Sequence, residues 1–251
     1  MNKIIARAVL IIEIIVALIF GAVLIDTCSI YRDANPSLSS IITVASLISA
    51  IIFPLAAHIV IKVKHRSNTP EGELLPFLFL SISFECVSFL PIYYIESGNL
   101  LLDPIMINVL IRFAFLTNAL VFLFVSLLLI GVTTSNYISY FIISMVSALI
   151  LSIMAPSSSS IQAAGSNFGS DYDVYFNFAI ALITIVTIIT LVGFAMKDKM
   201  RHSIEKSITY ILFVVGNYGI FSKTSMIVTA ISTVILIISS IMLMITSKES
   251  F

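Results

Sequence analysis

The sequence predicts an all-α fold: a polytopic transmembrane helical bundle of about eight spans, forming a single domain over residues 1–251 with no soluble domain. Three observations predict it. The 251 residues are 59% hydrophobic and 10% charged, against about 45–50% apolar and about 25% charged in soluble domains, so a water-soluble core cannot absorb the surplus. Apolar runs of about 20 residues, which at 1.5 Å rise cross a hydrocarbon layer about 30 Å thick, recur between charges and turn formers. The basic residues divide unequally between alternate loops, as the positive-inside rule requires.

The runs are 8–25, 39–61, 74–95, 105–130, 137–155, 174–196, 207–222 and 226–246. Lys3 and Arg7 precede the first. It exceeds the about 7–15 apolar residues of a signal peptide, and Asp26-Thr27-Cys28 follows it without small residues at a cleavage position, so it reads as a retained span. Most of the runs are apolar around their whole circumference, as expected where lipid and neighbouring helices share the sides. The short loop "ESGNLLLDP" makes the third and fourth spans antiparallel neighbours. The stretch 156–173, "PSSSSIQAAGSNFGSDYD", lacks Lys and Arg and reads as a flexible external linker. The seventh run, "SITYILFVVGNYGIF", is the weak one, because it contains Gly216, Asn217 and Gly219 and spans only about 22 Å as a straight helix. It crosses tilted with its flanks from Glu205 to Thr224 included, or it is broken; if it fails to cross, seven spans remain.

With eight spans and a cytoplasmic N-terminus, Lys3, Arg7, Lys62, Lys64, Arg66, Lys197, Lys199, Arg201, Lys206 and Lys248 lie inside, and only Arg32 and Lys223 outside. Seven spans merely exchange Lys248 for Lys223. Charge therefore fixes the orientation, in a bacterial-type cytoplasmic membrane, but not the count.

Ionisable residues within a membrane cost about 2.5–3.5 kcal/mol at a helix centre on insertion scales, so each marks a candidate site. Three qualify: Glu13, Glu85 and Arg112. Counted from the outer ends, Arg112 lies about 10 Å deep, Glu85 about 15 Å and Glu13 about 18 Å. Adjacent spans and the reach of arginine predict a Glu85–Arg112 ion pair. Asn108 shares Arg112's face one turn earlier, Ser81 and Ser88 flank Glu85, and Pro91 frees the carbonyl of Val87 to accept from a neighbour such as Arg112. Asn217 joins from the outer third. Glu13, Glu85, Asn108, Arg112 and Asn217 are thus the expected substrate-binding or proton/ion site, although a Glu–Arg pair that only fixes helix packing gives the same signal. Two carboxylates against one guanidinium leave a formal charge of −1, or one carboxyl that keeps its proton. His58, beside Lys62 and His65, reads as interfacial, as do Tyr93, Tyr94, Tyr137 and Tyr140.

Other function classes find little purchase. A net charge of zero offers no field for nucleic acid. No HExxH, GxSxG or Gly-rich phosphate loop occurs, so no catalytic residue is expected. Cys28 and Cys86 form no CxxC and read as free thiols, and no His or acid pair has metal-ligand spacing, so neither a metal nor a cofactor is expected. Two readings survive. In one, the chain is a small permease or transporter subunit for a small solute or proton, with the Gly216–Asn217–Gly219 break supplying irregular backbone. In the other, it is a non-transporting sensor, anchor or assembly module acting on a partner membrane or cytoplasmic protein through the basic loops 62–73 and 197–206, which also suit anionic lipid in the bilayer.

Overall fold

The computed structural model describes residues 3–33, 38–64, 70–99, 101–131, 137–155, 171–197, 201–222 and 225–246. Residues 156–170 of the predicted linker 156–173, residues 65–69 and 198–200 of the basic loops, and Lys223 and Lys248 lie outside these stretches, and the last three residues of that linker, 171–173, are helical instead. No strand occurs among the described residues. The helices are α1 (Lys3–Asp33), α2 (Leu38–Lys64), α3 (Pro70–Phe84), a 3₁₀ turn over Glu85–Ser88, α4 (Phe89–Ser97), α5 (Pro104–Ile130), α6 (Tyr137–Met154), α7 (Asp171–Lys197), α8 (Arg201–Ser222) and α9 (Met226–Thr246). Because α3, the 3₁₀ turn and α4 make one interrupted rod, these are eight rods in register with the eight apolar runs.

Six rods are long and apolar enough to cross a membrane: α1, α2, the α3–α4 rod, α5, α7 and α9. The protein is an integral membrane protein. Helix α6 is apolar but shorter, and the first turns of α8 carry Arg201, Glu205 and Lys206. Outward faces bear Leu18, Ile153, Ile189 and Ile227, each more than half exposed, where hydrocarbon rather than protein is the natural cover.

The α3–α4 rod lies in the middle, packed by α1, α2 and α5, with Leu78, Phe79, Ile82 and Phe89 enclosed. Helix α9 lies along α2 and α8, while α6 and α7 lie along α5. Many of the hydroxyls in these helices donate to their own backbone, as in Thr27 to the carbonyl of Val23 (2.8 Å), Ser152 to Ala148 (2.7 Å) and Thr187 to Ile183 (2.9 Å). Such back-bonding lets a polar residue sit in an apolar helix without a partner helix.

The interruption falls where the sequence did not place it. Helix α8 runs unbroken for 22 residues, about 33 Å, so its glycines do not break it. They let α9 come close. A Cβ on Gly216 would stand 2.8 Å from the backbone nitrogen of Leu236, and one on Gly219 would stand 1.9 Å from the hydroxyl of Ser232. The break is in the third span instead. Pro91 deprives the carbonyl of Val87 of its helical donor, the turn ahead of it tightens to 3₁₀ geometry, and the N–H of Phe89 reaches the carbonyl of Cys86. Pro54 leaves α2 a single helix; at Pro91 the freed turn coincides with a polar cluster that engages Glu85.

Candidate functional site

Glu85 opens the 3₁₀ turn in the central rod and is 1% exposed. Its Oε1 accepts from Nδ2 of Asn118 on α5 at 2.5 Å and from Nδ2 of Asn217 on α8 at 3.3 Å. The hydroxyl of Ser81, one turn earlier on α3, lies 3.1 Å from Oδ1 of Asn118 and 2.7 Å from the carbonyl of Leu78. Oε2 of Glu85 and Oδ1 of Asn217 are buried with no hydrogen-bond partner. Three rods therefore converge on a carboxyl whose neighbours are neutral amides.

The expected Glu85–Arg112 pair does not form. Arg112 is buried, but its Nη1 donates to the carbonyl of Ala155 at the end of α6 (3.1 Å), and its guanidinium lies 5.9 Å from the ring centre of Phe176 on α7. Helix periodicity explains this. Arg112 shares a face of α5 with Leu116 and Ala119, which pack on Ala148 of α6 and Ile180 of α7. Asn118, six residues on, is rotated about 120° around the helix from Arg112, toward the side of Phe122, whose ring meets Phe213 of α8 at 5.8 Å. Adjacent helices and a similar depth were not enough, because the angle around α5 decides which residue meets Glu85. Asn108 lies half-buried on Arg112's face and is not among the hydrogen-bond partners of Glu85.

Glu13 makes a separate pair. It is 0% exposed, and its Oε2 hydrogen-bonds Nδ1 of His58, itself 2% exposed, so His58 is not an interfacial residue. The imidazole stacks on Phe79 of α3 with centroids 5.4 Å apart. Oε1 of Glu13 and Nε2 of His58 have no hydrogen-bond partner. Glu13 lies twenty residues before the end of α1 at Asp33, and His58 twenty after the start of α2 at Leu38. Two helices folded back on each other bring such positions level, a register that counting from the span ends overlooks.

Tyr93 departs from the expected interfacial anchor in the same way: it is buried and donates to Oδ2 of Asp26 on α1 at 2.8 Å. Tyr140 remains exposed and packs on Phe124, with centroids 5.1 Å apart. Cys28 is exposed and Cys86 buried, both as free thiols. Of the five predicted site residues, Glu85 and Asn217 come together, Glu13 stands with His58, Arg112 faces α6 and α7, and Asn108 lies one turn before Arg112 on α5. Asn118, absent from the prediction, completes the cluster. Compared with protein-family models, with curated proteins and with solved structures, the chain matches none.

Proposed function

We propose that this integral membrane protein is a small permease or transporter subunit in which Glu85, held by Asn118 and Asn217, is the carboxyl that carries an ion or proton during passage of a small solute. The observation that carries the reading is the coincidence of a buried acid with a broken helix half-way along the central rod. Buried acids at that depth are costly and mark transport pathways in membrane proteins, and interrupted helices supply the backbone that such sites use. The Glu13–His58 pair is a second titratable site on the neighbouring rods. The excess of basic residues in alternate loops supports a cytoplasmic N-terminus in a bacterial-type cytoplasmic membrane.

The test is flux. Purified protein in vesicles holding a pH-sensitive dye is given a potassium-diffusion potential, and acidification is followed alone and with a panel of small solutes outside. Wild type is expected to exceed protein-free vesicles by at least about tenfold, and Glu85→Gln to lose that flux at unchanged folded amount. Arg112→Gln keeps it, because Arg112 faces α6 and α7. Wild-type vesicles no faster than empty ones under every condition remove the reading.

A further inference from the structure

The hydrogen atoms around Glu85 can be counted, and the count identifies what the site holds. Ser81 has one hydroxyl hydrogen, yet its oxygen stands within bonding distance of two acceptors, the carbonyl of Leu78 at 2.7 Å and Oδ1 of Asn118 at 3.1 Å. One of those contacts lacks a hydrogen. The contact between Asn118 and Oε1 of Glu85, at 2.5 Å, is shorter than the about 2.7–3.2 Å of an N–H donor and falls in the about 2.5–3.0 Å range of an O–H donor. Turning the Asn118 amide by half a revolution exchanges its oxygen and nitrogen and leaves both distances as they are. Ser81 then donates to Leu78 and accepts from the Asn118 NH2, while the amide carbonyl faces Glu85.

We propose that Glu85 binds a proton and donates it to the side-chain carbonyl of Asn118, so that the cluster is a proton site occupied at rest. Each contact among Leu78, Ser81, Asn118 and Glu85 then has one hydrogen. A neutral acid also suits its surroundings: the groups facing it are Asn118 from α5, Asn217 from α8 and Ser81 from α3, none of them charged, and an ionised carboxylate closed off among neutral groups is heavily penalised. Other ionisable groups on rods packed against the break are engaged elsewhere: Glu13 of α1 with His58 of α2, Tyr93 of α4 with Asp26 of α1, and Arg112 of α5 with the carbonyl of Ala155, while Cys86 lies within the break as a free thiol. Release breaks the O–H bond and leaves its electron pair on Oε1; the proton passes to water or to a base on the solute. The resulting carboxylate faces the Asn118 carbonyl, two acceptors with no hydrogen between them, and the amide must turn back to offer its NH2, which takes it from Ser81.

This deepens the permease reading by naming the proton as the carried particle, and it rests on that reading for its purpose but not for its chemistry. Infrared spectroscopy of the full chain in lipid at neutral pH tests it. Wild type is expected to show a protonated-carboxyl C=O band that Glu85→Gln removes, Glu13→Gln leaves in place and Asn118→Ala displaces. Glu85→Gln, a neutral isostere that keeps a donor toward Asn118, is expected to melt within about 4 °C of wild type. A wild-type spectrum without such a band overturns the proposal without any variant, as does a band that survives Glu85→Gln or vanishes with Glu13→Gln. Flux lost with the band present removes only the permease reading; Glu85-dependent flux without the band removes only the proton.

Discussion

Glu13 on α1 and Glu85 at the break of the α3–α4 rod are both closed off from solvent, but their neighbours differ in kind. Glu13 has one partner, His58, a group that can itself carry charge, and the two are joined across adjacent helices. Glu85 has two neutral partners from two different helices, with a hydroxyl fixing one of them. A pair with one charge-bearing partner concentrates its stability in a single contact, whereas a shared cluster spreads it over several and leaves the acid's own state to be decided by hydrogen count. The first arrangement fastens two helices; the second gathers three around a place where the backbone is already irregular.

That contrast can be broken experimentally. The largest effect is expected at the pair: His58→Leu leaves Glu13 buried without its partner and costs about 3–5 kcal/mol, while the Glu13→Leu, His58→Leu double variant recovers most of the loss. Chemical unfolding in mild detergent reads both, and a double variant no better than the single removes the idea that one contact holds this acid. Next comes Gly216→Ala. Its methyl group meets the backbone of Leu236 at 2.8 Å, which cannot swing aside, so α8 and α9 separate and Asn217 withdraws from Glu85, at about 1–3 kcal/mol. Unchanged stability there would show that the close approach is not needed to place Asn217. The smallest effect is at Ser81→Ala, where losing the hydroxyl against Asn118 costs about 1 kcal/mol; a thermal shift as large as that of His58→Leu would mean that the cluster too depends on a single contact.

The eight helical segments were legible because apolar length alone marks them, and their bounds agree with the helices to within about one turn, except at α1, whose helix runs from Lys3 to Asp33, and at α8, which begins at Arg201 rather than at residue 207. Depth was partly legible: Glu85 and Asn217 do meet. What failed was rotation. Nothing in the spacing of Glu85 and Arg112 says which side of α5 faces α3, whereas Leu116 and Ala119, on Arg112's face, show it once their neighbours Ala148 and Ile180 are known. Asn118 carried a usable signal, an amide deep within an otherwise apolar run, but arginine drew attention by its charge. His58 carried another, its equal distance from the α1–α2 turn as Glu13. The glycines of α8 were read as weakness along the chain, whereas they serve the approach of a second helix. A one-dimensional pattern does not separate these two uses of glycine, since both ask only for a missing side chain.

The approach at Gly216 and Gly219 has a mechanical consequence. Two helices whose backbones come this close behave as one plank. The plank also meets α2, where the hydroxyls of Thr233 on α9 and Ser46 lie 2.8 Å apart. Asn217 therefore cannot leave the acid by a local swing of α8; the whole plank has to tilt against the central rod, and the contact with α2 travels or snaps with it. Under the proposed permease reading, any motion that parts Asn217 from Glu85 would thus carry two helices as one body.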